Sequence, residues 1–468
     1  MMALIVALAT PSDMQVIARF EAAIEGDLAH DAADEDLLAA STRWTLGVET
    51  RLSAATLMHL EGALRGAGRT PSPGEWRGLA PARGRAEATA ELGEAWLSHR
   101  RGPLRLDVGQ LIVRWGVMDL QSPNDVLNPM DLRDGPPRAG ATDVPVRPIP
   151  MLRASHVSDD LSLELVWQPF FVPHWGSATD SDWAATRLDP SLAGALSLTD
   201  LLVAPSASEA LQPLLLTPDP PEAWPSNGSV AARVGTSGEG LDLHAQVSWA
   251  WDRTPTLRVD PELTALLVAA REDDLPTLLR LYPRVAPRLA DGGRAVEARH
   301  ERTLTAGVDA AMAVDAYVVK AEVAATPGRT LYDAALQPVR APALSWAVGV
   351  DWLDDEALSA TLELSGLTPL RDGEYLLFGR GWAQAAGVAQ WRPSQVEGVE
   401  VTLALQHALT ARAWAASTTV AWSPPRASAN ALRHTLAAGL LLLDGEAGTL
   451  MGAFGHNDAA HLRYTLSL

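Results

Sequence analysis

The sequence predicts an all-β protein, an antiparallel transmembrane β-barrel of about eighteen strands, with sixteen as the alternative number. Two observations support this fold class. Apolar and polar residues alternate strictly over unusually long runs, and short turns alternate with long polar connections along the chain. The first pattern indicates strands with one apolar face, and the second is typical of outer-membrane barrels, which have short turns at one rim.

The alternation is clearest in the first quarter of the chain. In residues 38–52 one face carries the apolar residues Leu38, Ala40, Trp44, Leu46, Val48 and Leu52 together with Thr42, and the other face carries Arg43, Thr45, Glu49 and Arg51. The same pattern covers residues 15–25, 56–65, 85–92, 104–108, 241–251, 344–352 and 399–405. These runs match the roughly 9–11 residues that a tilted strand needs to cross a bilayer.

The connections also alternate in length. Short turns are predicted near residues 53–54, 99–102, 156–159, 237–239, 314 and 354–355. Long segments are predicted at 27–37, 67–83, 116–146, 173–227, 253–296 and 327–340. The three longest are expected to be extracellular loops, and residues 13–468 are expected to form one barrel domain. Turns are difficult to place between residues 374 and 430.

Composition excludes several classes of protein. The net charge of −20 argues against a nucleic-acid partner and a polybasic lipid anchor. The absence of cysteine excludes disulfides, thiolate metal sites and cysteine nucleophiles. The single lysine, Lys320, follows no Gly-rich loop of the kind that binds nucleotide phosphates. Sixteen Trp against five Phe and five Tyr suggest an interfacial aromatic belt, with Trp44, Trp96, Trp249 and Trp251 as candidates.

Both ends of the chain carry local signals. Residues 1–12 begin with an apolar run that ends in Ala-Leu-Ala, which predicts a truncated secretory signal peptide, with a short buried strand as the alternative. Near the other end, Leu462, Tyr464, Leu466 and Leu468 alternate with polar residues. This alternation resembles the terminal strand by which outer-membrane barrels are recognised for assembly, although a leucine replaces the usual final aromatic residue.

The segment 253–296 contains helix signals. Asp260 can cap a helix that starts at Pro261, and Asp274 with Pro276 starts a second one that is predicted to end before Pro283. Two short helices are therefore expected here. A plug or gate in the barrel and a rigid extracellular cap are both open interpretations.

The segment 115–134 is rich in Asn, Asp and Pro, which favour bonds from side chains to the loop backbone. Its acidic residues could line a constriction or bind a cation, whereas a self-bonded loop that supports the barrel is the simpler interpretation. The candidate residues of this motif are Trp115, Asp119, Asp125, Asn128, Asp131 and Arg133.

A resemblance rests on the same segment. The residues Gly109-Gln110, Trp115-Gly116 and the run from Asp125 to Asp131 (DVLNPMD) resemble a porin-like outer-membrane barrel family of Gram-negative bacteria, a domain-of-unknown-function family. Partial matches follow in order at residues 94–97, 281–285, 348–352 and 454–458. The resemblance implies an outer-membrane barrel, sometimes associated with export of hydrophobic compounds, and no established catalytic residues.

Signatures of enzymes are missing from the sequence. It has no G-x-S-x-G nucleophile elbow, no zinc-protease helix, no dinucleotide fingerprint and no EF-hand. No catalytic residues, metal ligands or cofactors are therefore predicted. The polar faces of the first strands instead predict a charged lumen, with the candidates Arg19, Glu21, Arg43, Glu49, Arg51, Glu61, Arg65, Glu87, Glu91, Arg105 and Asp107.

We therefore expect a porin-like channel in the cell outer membrane of a Gram-negative bacterium, which passes or exports small solutes. The expected partners are outer-membrane lipid and lipopolysaccharide, the barrel-assembly machinery, an unidentified solute and a periplasmic or inner-membrane export partner. Two alternatives remain at this point. One is a barrel without transport, acting as a surface scaffold or enzyme, and the other is a secreted soluble β-protein that binds glycans through Trp.

Overall fold

The structure is a computed structural model in which almost the whole barrel wall is described. The described residues are 14–28, 36–71, 85–132, 145–158, 160–176, 221, 227–271, 274–290, 296–333, 337–353, 357–375, 380–425, 432–446, 449–455 and 457–468. The predicted signal segment 1–12 and Arg133 of the loop motif lie outside these residues.

The described chain contains twenty-two strands. They are β1 (Met14–Asp27), β2 (Asp36–Ser53), β3 (Thr56–Pro71), β4 (Arg85–Arg101), β5 (Leu104–Leu111), β6 (Asp131–Leu132), β7 (Ile149–Val157), β8 (Ser162–Gln168), β9 (Trp175–Gly176), β10 (Ser229–Gly238), β11 (Leu241–Trp251), β12 (Thr256–Val259), β13 (Val296–Arg299), β14 (Arg302–Val314), β15 (Tyr317–Tyr332), β16 (Pro338–Leu353), β17 (Leu358–Pro369), β18 (Trp382–Trp391), β19 (Val399–Ala408), β20 (Ala413–Trp422), β21 (Arg433–Gly445) and β22 (Ala459–Ser467).

Eighteen of these strands form one closed antiparallel barrel, which confirms the predicted fold class and the higher of the two strand numbers. The barrel closes where β22 pairs with β1, with Leu466 opposite Phe20 and Leu462 opposite Ile24. The pairs β6–β9 and β12–β13 form two small sheets within the long connections. Because the barrel is closed, its wall has no unpaired edge strand.

The two faces of the wall differ in polarity, as the alternation predicts. On β11 the odd-numbered residues from Leu241 to Trp251 point outward, and Leu243, Val247 and Trp249 are each about 44–45% exposed. The even-numbered residues point inward, and Gln246 among them contacts the loop described below. Residues directly opposite each other in antiparallel strands share a face, so the pairing register carries this assignment around the whole barrel.

The aromatic residue Trp96 was predicted to lie at the membrane interface, and this prediction is wrong. The pairing of β3 with β4 shifts between Leu60 and Gly62, and the residues that follow change faces. The Trp96 ring consequently points inward and stacks on His59, with ring centroids 5.1 Å apart. A bulge cannot be predicted from the alternation within one strand, because it depends on how that strand pairs with its neighbour.

The predicted long connection at 327–340 is also wrong. Strand β15 continues to Tyr332 and β16 begins at Pro338, so the connection is much shorter. The Pro-Gly pair that suggested a loop lies within β15, where the register shifts between Thr326 and Arg329. A bulge accommodates proline because it interrupts the ladder of backbone hydrogen bonds.

Two helices lie in the segment between β12 and β13, as predicted. Helix α1 (Pro261–Arg271) is capped by Asp260, whose Oδ1 accepts from the backbone N–H groups of Glu262 and Leu263 at 2.9 and 3.1 Å. Helix α2 (Leu275–Ala290) continues through Pro283, where the prediction ended it. Leu281 and Val285, on either side of this proline, are buried where α2 packs on α1, and this packing offsets the lost hydrogen bond. A third, single-turn helix α3 (Leu450–Ala453) precedes β22.

No helix in the described part of the chain combines the length and the apolar character needed to cross a membrane.

Candidate functional site: a loop bound across the barrel interior

The segment 112–130, named here the inner loop, follows β5 and crosses the inside of the barrel. Its contacts lead to the inner faces of strands on the far side of the wall. Gln246 of β11 donates to the carbonyl of Asn124 at 2.8 Å, and the Asn124 amide donates to the carbonyl of Val308 on β14 at 3.0 Å. Ser365 of β17 donates to the Gln121 side chain at 3.1 Å. The inner loop therefore lies inside the lumen and narrows it.

Two buried carboxylates hold the backbone of the inner loop. Glu322 of β15 accepts from the N–H groups of Val117, Met118 and Asn124 and from the Ser122 hydroxyl. Glu363 of β17, which is 2% exposed, accepts from the three N–H groups of residues 119–121 at 2.7–3.2 Å. Each carboxylate thus replaces water as the acceptor for consecutive backbone donors, and such charge-assisted bonds are stronger than neutral ones.

The single lysine of the chain completes this attachment. The Lys320 side chain is 5% exposed and forms ion pairs with Asp119 of the inner loop and with Asp351 of β16, the latter at 2.7 Å. Asp351 also accepts from the Thr361 hydroxyl at 2.9 Å. One buried cation therefore joins the inner loop to two neighbouring strands of the wall.

The close approach of the inner loop to the wall requires glycine at two positions. Gly116 has a φ of 102°, a backbone conformation that other residues rarely adopt. Gly307 of β14 faces Asn124, and a Cβ atom at Gly307 would lie 2.0 Å from the Asn124 side-chain oxygen. Neither position has room for a side chain while the loop is bound.

The two ends of the inner loop are packed into a buried apolar cluster. Trp115 is 2% exposed and packs with Leu127 and Met151, and its indole N–H donates to Glu164 of β8. The Asn128 side chain joins three backbone groups, accepting from Val113 N–H at 2.8 Å and donating to the carbonyls of Leu111 and Arg147. The loop motif is therefore in part the self-bonded support that its composition indicated.

A second connection leads to the same loop from the rim of the barrel. Arg253 is buried and donates to the carbonyls of Val172 and Leu127 and to the Gln168 side chain. His174 accepts from Met130 N–H at 2.9 Å. Burial, together with the nearby charge of Arg253, lowers the pKa of His174 to about 4, so the ring is neutral and able to accept at neutral pH.

Asp125 of the inner loop has a raised proton affinity. Burial raises its pKa to about 6, although the charge of Arg114 and a hydrogen bond from the Trp115 backbone oppose the shift. The folded state therefore binds a proton that the unfolded chain, with an ordinary pKa near 3.8, has released. Stability from this group is fully present below about pH 4 and is lost as the pH rises through about 6.

We expect Asp125→Asn to remove this pH dependence. Between pH 4 and 7 the wild-type free energy of unfolding should fall, relative to that of the variant, by up to about 3 kcal/mol, since one pKa unit corresponds to about 1.4 kcal/mol. Equilibrium urea unfolding of the barrel in lipid vesicles at several pH values measures this difference. Asp160→Asn, at an exposed carboxylate in the turn between β7 and β8, is the control and should parallel wild type. If the free energies of unfolding of Asp125→Asn and wild type changed with pH in the same way, burial would not raise the pKa of Asp125.

The structure distributes the predicted motif residues among different roles. Trp115 and Asn128 belong to the buried support, Asp119 pairs with Lys320, and Asp125 is half-buried in the loop. Asp131 begins β6, and its N–H donates to the Pro145 carbonyl at 2.8 Å. In the described residues no group of three or more His, Asp or Glu is positioned to hold a metal ion.

The predicted lumen residues lie on the inner face of β1–β5, and most of them form ion pairs. The pairs are Arg19–Glu21 at 3.0 Å, Arg43–Glu91 at 3.5 Å, Glu49–His59 at 3.3 Å, Arg65–Glu87 at 2.9 Å and Arg105–Asp107 at 2.8 Å. The Glu61 side chain fills the space beside Gly93, where a Cβ atom would lie 2.7 Å from its Oε1, and Arg51 is exposed near the turn between β2 and β3. Their role as the lining of an open pore remains a prediction.

Sequence reasoning missed the wall residues that bind the inner loop. Glu322 is 200 residues from Ser122 and Glu363 is 244 residues from Asp119, so no local spacing relates them. A weak signal existed, because Lys320 and Glu322 are charged residues at alternate positions within the largely apolar first half of β15. Arg253, the first residue of the predicted long segment 253–296, had no signal that distinguished it from a solvent-exposed arginine.

Comparisons with known proteins give structural similarities only. The outer membrane channel DcaP of Acinetobacter baumannii is 9% identical, with 98% of this chain and 99% of that chain covered and a TM-score of 0.42. OccAB4 of A. baumannii and OccK9 of Pseudomonas aeruginosa are 8% and 9% identical, each with the same coverage and a TM-score of 0.48. No family model matches the chain, and no curated protein is significantly similar to it in sequence. The resemblance of the loop motif to one family therefore stays a prediction.

Proposed function

We propose that this protein is a porin-like channel of the outer membrane of a Gram-negative bacterium, and that small solutes cross it beside the inner loop. The observation that carries the proposal is the combination of an apolar outer face with accessible charged side chains on the inner face. Arg19, Arg43 and Arg463 have side chains 54, 43 and 45% exposed although they point into the barrel. Exposure of this extent inside a closed wall requires open volume beside them.

The position of the inner loop supports a narrowed but open lumen. Its described hydrogen bonds and ion pairs lead to strands between β4 and β17, and Leu120 packs toward β18–β20. The exposed arginines lie on β22, β1 and β2, on the other side of the lumen. Barrels of 16–18 strands are wide enough to leave an aqueous channel, so a loop on one side leaves a passage on the other.

The outer face supports the location. Leu46, Leu64 and Leu165 are each 61% exposed, and large apolar side chains cover the outside of nearly every strand. An apolar surface of this extent is stable in lipid and unstable in water. In this proposal the partners of the outer face are outer-membrane lipid and lipopolysaccharide, and the barrel-assembly machinery inserts the chain.

An arginine introduced on the outer face should lower the free energy of unfolding by an amount that depends on its depth in the bilayer. Val247→Arg, at the middle of β11, should lower the free energy of unfolding in lipid vesicles by about 2–4 kcal/mol, because the guanidinium is forced into the hydrocarbon. Leu241→Arg, on the same face beside the turn, should cost only about 0–1 kcal/mol. Urea unfolding in vesicles compares the two variants. Equal costs would mean that this face does not lie across a bilayer.

Two measurements test the channel itself. A closed barrel resists SDS without heating, so the unboiled protein should migrate faster than the boiled chain in electrophoresis. The purified protein should then produce stepwise conductance increases in planar lipid bilayers. A barrel that shifts with heating but conducts no ions would favour a non-transporting scaffold or enzyme. A protein that is soluble without detergent and shows no shift would favour the glycan-binding alternative.

A further inference from the structure

The outer face of the wall carries very little charge, and two of its arginines are neighbours at the long-loop rim, the end of the barrel that bears the long connections. Among the outward-facing wall residues whose side chains the structure describes, the charged residues other than histidine are Arg101, Arg302, Arg340 and Asp444. Arg302 begins β14, and Arg340 lies near the start of β16, with β15 between them. The Arg340 Nη2 donates to the backbone carbonyl of Arg302 at 3.1 Å, so the two residues are in direct contact.

Two tryptophan rings fix the position of the Arg302 side chain. Its guanidinium carbon lies 4.6 Å from the ring centroid of Trp251 and 5.8 Å from that of Trp249, both on the outer face of β11. The indole N–H of Trp251 donates to the Asn227 carbonyl at 2.8 Å, which holds that ring in place. Stacking on an aromatic face leaves the edge of a guanidinium able to donate, and the described hydrogen bond of Arg302 uses only its Nη2. Arg302 is therefore oriented in advance for an anionic ligand.

Arg340 adds a second accessible cation. Its neighbour Ala341 is buried in the cluster on the inner face, so Arg340 points outward, and its side chain is 49% exposed. Its Nη1 pairs with Glu301 at 3.4 Å. Because this one carboxylate compensates only one of the two guanidinium groups, the three residues together keep a positive charge for a ligand. Arginine binds phosphate through paired hydrogen bonds and is more weakly hydrated than lysine, which favours a phosphate ligand at the edge of a bilayer.

The outer face below the two arginines is apolar. Toward the short-turn end, one row of outward-facing residues on β14, β15 and β16 consists of Ala306, Ala325 and Leu344. The following row consists of Val308, Val323 and Trp346. A ligand that contacts both the arginines and these rows needs an anionic headgroup and hydrocarbon chains, so it is a lipid. The long loops of outer-membrane barrels are extracellular, so the arginines meet the outer leaflet.

We infer that Arg302 and Arg340 bind a phosphate group of lipopolysaccharide, the phosphorylated glycolipid of the outer leaflet, and that its acyl chains cover the apolar rows below. This inference rests on the proposed location in the outer membrane and assigns a site to one of the lipids there. The Trp249 and Trp251 rings lie at the same level and contact the boundary between headgroup and hydrocarbon, as interfacial aromatic residues do.

The test is native mass spectrometry of the full-length barrel in detergent micelles, which measures the binding of single lipid molecules. The probes are lipid A with both phosphates, the same lipid A without phosphate, and phosphatidylglycerol. Lipid A with both phosphates should bind roughly fivefold more tightly than the dephosphorylated form, the difference expected for one arginine near an anionic headgroup. Phosphatidylglycerol should bind more weakly than phosphorylated lipid A, because it offers fewer phosphate groups and acyl chains.

Four variants locate the site. Arg302→Gln and Arg340→Gln should each weaken the binding of phosphorylated lipid A by roughly fivefold. Arg101→Gln makes the same substitution on the same face at the opposite rim and should bind as wild type does. Glu301→Gln removes the carboxylate that competes for Arg340 and should tighten binding, a gain that misfolding cannot produce. The shift on heating in SDS electrophoresis verifies that each variant forms the barrel.

Three results would overturn the inference. They are equal binding of phosphorylated and dephosphorylated lipid A, wild-type binding by both Arg302→Gln and Arg340→Gln, and binding of phosphatidylglycerol as tight as that of lipid A. The last result would assign the arginines to anionic lipids in general. Conductance in planar bilayers does not depend on this site, so the channel function would stand in all three cases. A protein that is soluble without detergent and shows no shift on heating would instead overturn the proposed function.

Discussion

Replacing Lys320 by Met is expected to lower the free energy of unfolding by about 3–5 kcal/mol, the cost of leaving buried charges without their partner. The lysine is 5% exposed and pairs with Asp119 and Asp351. Asp351 has only 12% side-chain exposure, so water cannot take the place of the ammonium group. Urea unfolding in lipid vesicles measures this loss.

The double variant Lys320→Met with Asp351→Asn is the matched control. It removes the anion together with the cation and should recover a large part of the stability, because the penalty arises from the unpaired charge. The single variant Asp351→Asn completes the comparison. If the double variant loses as much stability as the two single variants together, the residues act independently and Lys320 stabilises the fold by packing alone.

Glu363→Gln is expected to detach the inner loop at residues 119–121. The new amide has one oxygen in place of two, and its NH2 group is a donor that faces backbone donors. At least two hydrogen bonds to a charged acceptor are lost, each worth about 1.5–3 kcal/mol. The loop should then fluctuate in the lumen, and single-channel recordings should show frequent partial closures and higher open-channel noise.

Glu87→Gln is the matched control for this experiment. Glu87 also lies on the inner face and bonds an arginine, but it is 55% exposed and does not contact the inner loop in the described residues. Single-channel recordings of Glu87→Gln should show the same low open-channel noise as those of wild type. Recordings of Glu363→Gln that equal those of wild type would mean that Glu363 does not hold the loop in place.

The wall of the barrel could be predicted because its determinants are local. Successive side chains of β2 and β11 point to opposite faces of the wall, and the two faces differ in polarity. The residues therefore alternate between apolar and polar along each strand. The cap at Asp260 was predictable for the same reason, since the acceptor and its donors are within three residues. Trp96 and Pro283 were placed incorrectly because pairing with β3 and packing on α1 decide their environments.

The candidate site was predictable only in part. The inner loop was recognised from the Asn, Asp and Pro residues that bond its own backbone, as Asn128 does. Its crossing of the lumen was not predictable, because it depends on Glu322 and Glu363, which approach the loop only after the sheet has closed.

The sequence by itself determined that this chain forms a barrel with an apolar exterior and a charged interior, because many of its strands, such as β2 and β11, have a side-chain period of two. Only the tertiary structure decided where the inner loop lies and which strands of the wall bind it. Those features depend on single acceptors such as Glu363, placed opposite backbone donors more than two hundred residues away. The physical reason is that strand polarity is a repeated local property, whereas a bound loop depends on a few contacts that closure of the barrel creates.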